Sequence, residues 1–229
     1  MINDIIYTGD NMEVLANENV VIKCVQYDDE VEQIINYIKE KMIAVDEYLQ
    51  LVSNKMCTVH LIDSKAKLDI LYGELIFDEH DRKTGKEVPG SLVSFYFNDN
   101  FFILKYNVYK NIFKHDKTTF EEYEAEVLAG IIPILQRWRF GKLSNSKVID
   151  QGLAAFLSGQ DTNVRMLMDS YHDLIKSDNT KAYGDFFKYI DSTYSKEQIF
   201  KLLSGDIEAD KIQKIYVDYK RQFLASRGK

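Results

Sequence analysis

Apolar residues recur along the chain with two different periods, and the change from one to the other divides it. Val20–Tyr27 (VVIKCVQY) is β-branched and partly alternating, which predicts a strand. Over Asp28–Val52 the apolar positions are Val31, Ile34, Ile35, Ile38, Met42, Val45, Tyr48 and Leu49; this three-to-four spacing predicts an amphipathic helix. Cys57–Ile62 (CTVHLI) reads as a second strand, and Asp63 and Ser64 are cap residues for a short helix through Leu71. Asp78–Gly90, polar and carrying Thr-Gly-Lys and Pro-Gly, reads as a loop. Ser91–Phe97 and Phe101–Asn107 are apolar-aromatic runs joined by Asn98-Asp99-Asn100, a hairpin signal. From Thr118 the period is helical, with helices expected near 118–139, 146–158, 162–175, 180–193, 195–203 and 208–225. Strands first and helices after predict an α+β fold. It is a small mixed N-terminal sheet with helices (18–116), followed by a mainly helical C-terminal lobe (117–226), within a single domain over 1–229.

The helix near 118–139 is apolar on two sides. With about 100° per residue, Phe120, Val127, Ile131, Ile134 and Trp138 form a core stripe flanked by Tyr123, Leu128 and Leu135. Ala125, Ala129, Ile132 and Gln136 fall opposite, so the helix is expected to lie between layers. Pro133 removes the hydrogen bond to the Ala129 carbonyl and predicts a kink. Glu121, Glu122 and Glu124 make an acidic first turn that suits the helix dipole.

Composition adds to this pattern more than it alters it. The 229 residues are 45% hydrophobic and 13% aromatic, enough for a sizeable core and against disorder. A formal charge of −7, from 29 basic and 36 acidic residues, disfavours nucleic-acid binding, which needs clustered Lys and Arg. No window approaches the roughly 18 apolar residues of a membrane span, and the N-terminal MINDIIYTGDN lacks the basic and apolar regions of a signal peptide. These features predict a cytoplasmic protein without a membrane partner. Cys24 and Cys57, outside any metal-ligand spacing, are expected as small buried residues. The four histidines, His60, His80, His115 and His172, are scattered, and His60 reads as an ordinary sheet residue. Phosphate-binding glycine motifs, an EF-hand continuation and a nucleophile elbow at Ser158 are all missing from the sequence.

One pair of segments has a recognisable outline. Ala125-Glu126-Val127-Leu128-Ala129 has the frame of HExxH with both histidines replaced. Val148-Ile149-Asp150-Gln151-Gly152-Leu153-Ala154-Ala155-Phe156-Leu157-Ser158-Gly159 resembles the WLxEGLAxYxxG segment of the gluzincin zinc peptidases. The strand TVHLIDS, the aromatic hairpin and the helices from Tyr183 to Tyr219 are similar to that family's sheet and C-terminal helices. The resemblance therefore runs over about Val20–Leu224.

It implies a zincin-like fold in which an edge strand lies beside the helix of the HExxH frame. In the family, two histidines at i, i+4 and a downstream glutamate hold zinc, and the motif glutamate works on the zinc-bound water. Here the vestigial ligand positions are Ala125, Ala129 and Gln151, and the vestigial base is Glu126. Two methyl groups and a neutral amide do not hold zinc. Without zinc the pKa of water stays at its bulk value of 15.7 instead of falling to about 7. The resemblance thus implies a pseudopeptidase with no cofactor and no catalytic residue. It would bind a peptide or protein partner in a cleft formed by Ser94, Tyr96, Ala125, Glu126, Ala129 and Gln151, as peptidase substrates pair with a sheet edge. The alternative expectation is a hydrolase with a relocated metal site built from Glu124, Glu126, Asp150 and His172.

Overall fold

A computed structural model describes residues 12–112, 115, 117–160 and 167–227. The described residues form five strands and ten helices, an α+β arrangement. The strands are β1 (Met12–Asn17), β2 (Val20–Cys24), β3 (Cys57–Ile62), β4 (Ser94–Phe97) and β5 (Asn100–Leu104). The helices are α1 (Asp29–Leu49), α2 (Lys65–Ile76), α3 (Glu79–Lys83), α4 (Tyr106–Tyr109), α5 (Phe120–Phe140), α6 (Lys147–Ser158), α7 (Tyr171–Ser177), α8 (Thr180–Thr193), α9 (Lys196–Leu203) and α10 (Ala209–Arg227).

The chain divides into two compact units. One takes the described residues up to Ile43 together with Ser53–Ile134; the other takes Ala44–Val52 and the described residues from Leu135 onward. Both long helices, α1 and α5, contribute residues to each unit.

The first unit is built on a five-stranded mixed sheet in the order β1-β2-β3-β5-β4. β2, β3 and β5 are parallel, and β1 and β4 are antiparallel additions on either side. β3 and β5 read as nearly continuous apolar runs because both of their faces are covered, whereas β2 alternates buried with half-buried residues. β5 is the centre of this core, with Phe101, Phe102, Ile103 and Leu104 all buried. Its two faces carry different layers. On one, Phe102 stacks between His60 and Phe95, and Tyr72 of α2 meets Phe95 edge-on. On the other lies α5, described below.

The second unit is helical. α6 packs along α8 so closely that a Cβ on Gly152 would lie 2.7 Å from the Tyr183 carbonyl oxygen. Tyr48, on the stretch Ala44–Val52, donates its hydroxyl to Asp191 at 2.7 Å and carries the Lys196 ammonium over its ring.

Several elements depart from the sequence expectation. β1 was not anticipated: its residues are mostly exposed, so no alternation marks it. The run Phe101–Asn107, expected as a strand throughout, is strand only as far as Leu104; the chain turns at Lys105, whose amide donates to the Ile62 carbonyl, and enters α4. α2 continues past Leu71 to Ile76, since Tyr72 packs on the sheet. The loop 78–90 contains α3, whose start is held by the Asp78 side chain on the Asp81 amide. Of the helix expected over 162–175, residues 161–166 lie outside the described ones, 167–170 are not helical, and α7 starts at Tyr171, where the Ser170 side chain caps the Asp173 amide. α5 keeps to its expected extent, with Pro133 inside it.

Candidate functional site

α5 is anchored to β5 at two points. The Tyr123 hydroxyl donates to the Leu104 carbonyl at 2.8 Å, and Gly130 lies against the Phe101 ring, where an added Cβ would come within 2.1 Å of it. Tyr123, Val127 and Gly130 therefore face the sheet, one helical turn apart. Glycine at 130 is required by this close approach.

The opposite side of α5 is buried as well. Ala125 is 7% exposed, Ile132 and Gln136 are fully buried, and Ala129 is half-buried. This is the two-sided burial expected from the alanine spacing. Glu124 lies on the flank toward Tyr37 and Glu40 of α1, and burial chiefly, then the charges of Glu121 and Glu40, pushes its carboxyl up. Glu126 lies on the other flank, toward α4. There burial first, and then the charges of Glu126 and Glu122, push the Tyr109 phenol well up.

Among the described residues β4 is the last strand of the sheet, one strand beyond the β5 that carries α5. Its register sets the direction of its groups. The Leu104 amide donates to the Val93 carbonyl, so Phe95–Phe102 and Phe97–Asn100 are the bonded pairs. Ser94 and Tyr96, opposite Ile103 and Phe101, then direct their backbone N–H and C=O groups to the outer side of β4. Their side chains share the face of Phe101, which is the face of α5. Tyr96 is 39% exposed and Ser94 half-buried.

Of the residues singled out from the sequence, Ser94, Tyr96, Ala125, Glu126 and Ala129 belong to the first unit and Gln151 to the second. Gln151 sits on α6, half-buried, and its Oε1 is buried without a hydrogen-bond partner among the described residues. The set Glu124, Glu126, Asp150 and His172 is divided in the same way. His172 is exposed on α7. Among the described residues no group of three or more His, Cys, Asp or Glu side chains is placed to hold a metal ion.

Asp150 has another occupation. Its Oδ1 accepts the Gln136 amide at 2.7 Å and the Ser144 N–H at 3.0 Å, and Gln136 also donates to the Leu203 carbonyl at 3.2 Å. Burial pushes the Asp150 carboxyl up, against the pull of these hydrogen bonds. This buried polar cluster joins α5, the turn before α6 and the end of α9. Its sequence signal was only a glutamine among the apolar positions of a helix.

Cys24 and Cys57 are buried, and neither is in a disulfide. His60 is 2% exposed and hydrogen-bonded to Asn100 at 2.9 Å. No helix among the described residues is long and apolar enough to cross a membrane. No protein-family model, curated protein or solved structure matches the chain.

Proposed function

We propose that this protein binds an extended peptide at the outer side of β4 without cleaving it, as a pseudopeptidase of gluzincin-like descent. The reading is supported chiefly by one arrangement: β4, the outermost described strand, directs the main-chain groups of Ser94 and Tyr96 away from β5, and positions 125 and 129, on the side of α5 away from the sheet, carry methyl groups. A strand edge offers main-chain hydrogen bonds in register, which bind a polypeptide largely independently of its sequence. Hydrolysis needs an activated water, and Glu126 alone, without a Lewis acid, does not generate one at neutral pH. Such a protein acts as a recognition, scaffold or regulatory module.

The test combines binding and turnover. Peptides selected from a random display library are expected to bind the purified protein and to be recovered intact by mass spectrometry, with or without added zinc. Ser94→Pro removes an outward N–H at a position that makes no bond to β5, and proline is tolerated on edge strands. It is expected to abolish binding while the fold is retained. Stoichiometric zinc in protein purified without added metal, together with chelator-sensitive cleavage, would overturn the proposal.

A further inference from the structure

Lysines that lie partly inside this fold are paired with acids, with one exception. Among the described residues Lys23, Lys41, Lys65, Lys67, Lys105 and Lys220 are half-buried, and each has a carboxylate within ion-pair distance. Lys196 is half-buried too, and no carboxylate stands at that distance from it. Its ammonium lies instead on an aromatic bed in the second unit, 2.9 Å from the centre of the Tyr48 ring and 5.3 Å from that of Phe200. The acid whose charge reaches it, Asp191, already accepts the Tyr48 hydroxyl at 2.7 Å. A second cation shares the bed: the Arg139 guanidinium lies 5.4 Å from the centre of the Phe200 ring. Lys196 is also the first residue of α9, at the positive end of the helix dipole.

Each of these surroundings bears on the charge of the amine. An ammonium partly out of water and without a carboxylate gives up its proton more readily, and a neighbouring cation and a helix N-terminus act in the same direction. The face of the Tyr48 ring and the charge of Asp191 act against them. Burial is the largest influence and holds the Lys196 amine below the ordinary lysine value. A lysine is activated as a nucleophile by desolvation or by an adjacent cation. We infer that Lys196 is an acylation site: its amine, without an acidic partner and beside Arg139 on the Tyr48–Phe200 bed, takes an acyl group from an activated carboxyl, a thioester or an acyl phosphate. The nitrogen lone pair attacks the acyl carbon, the C–S or C–O bond breaks, and thiolate or phosphate leaves with the electron pair. The nitrogen gives its surplus proton to water. The product is a neutral amide, so acylation removes a charge that burial disfavours. The site lies in the second unit and does not depend on peptide binding in the first.

The experiment follows acetylation of individual lysines in the folded protein by peptide mass spectrometry, with limiting acetyl phosphate in one arm and an uncharged acetyl thioester in the other. At about pH 7.5, where ordinary lysines are almost wholly protonated, Lys196 is expected to react several-fold faster than the exposed Lys39 and Lys201 in both arms. As the medium is made more alkaline its rate should level off before theirs, a profile that a merely structural lysine would not show. Asp191→Asn removes the nearest opposing charge and is expected to raise the Lys196 rate further, and Arg139→Gln to lower it. The comparison within the native chain decides even where a variant fails to fold. Equal or slower reaction of Lys196 in the thioester arm overturns the inference. Acceleration confined to acetyl phosphate overturns it too, because the two cations then only gather an anionic reagent.

Discussion

His60 enters the folded sheet uncharged. Burial chiefly lowers its pKa to about 4, with the Asn100 hydrogen bond opposing, from an ordinary value of about 6.5. The unfolded chain therefore takes up a proton at this residue near pH 6.5, which the folded chain refuses until about pH 4. Stability from this group is complete above pH 6.5, is lost as pH falls through that window, and changes no further below it. The loss amounts to about 3 kcal/mol. Urea midpoints measured across pH 7 to 4 should fall more steeply for the native chain than for His60→Gln, and parallel curves would refute the assignment. Asp150 makes the complementary case. Asp150→Ala leaves the Gln136 amide and the Ser144 N–H without their acceptor in a buried place, at about 1–3 kcal/mol each. Asp150→Asn keeps an acceptor oxygen and removes a charge that burial disfavours, so it should cost markedly less in chemical denaturation. Neither partner of this pair was legible as such from the sequence. Asp150 stood out as an acid and Gln136 as a polar residue on a helix face, and 14 positions separate them.

At the scale of elements, two helices depend on glycine for different reasons. Gly130 lets α5 reach the Phe101 ring, and Gly152 lets α6 reach the Tyr183 carbonyl. Alanine at either position overpacks a core contact, at a cost of about 1–3 kcal/mol. The two should respond differently to relief. Phe101→Leu makes room beside residue 130, so Gly130→Ala combined with Phe101→Leu should be more stable than the sum of the single losses. No side-chain substitution moves the backbone oxygen that Gly152→Ala would meet, so Phe187→Leu should give little rescue there. Double-mutant cycles from denaturation midpoints decide both cases. The strands and helices themselves were largely readable: β3 spans the expected Cys57–Ile62, and α5, α6, α8 and α9 lie within a residue or two of expectation. Periodicity carries that information because one buried face imposes it locally. β1 and α4 escaped notice because neither has a buried face long enough to show a period.

For the whole molecule, the residue types at 125, 129 and 151 bear on metal binding. A protein that binds zinc in its folded state gains stability with free metal concentration, about 2.7 kcal/mol at a hundredfold excess over Kd. The proposal here predicts no such linkage: about 50 µM zinc should leave the melting temperature unmoved, where a three-ligand site would raise it by several degrees. A zinc-dependent rise abolished by chelator would contradict it. What the sequence by itself determined is local chemistry. Methyl groups at 125 and 129, an amide at 151 and the helical period of the second half follow from residue types and spacing, and no packing alters them. Only the tertiary structure decided that β4, fourth in the chain, lies outermost among the described strands, with Ser94 and Tyr96 on the face of the sheet that carries α5. It alone paired Asp150 with Gln136 and brought Gly130 onto Phe101. Strand order, register and buried polar pairing depend on contacts between residues far apart in sequence, and those energies exist only once the chain has closed on itself.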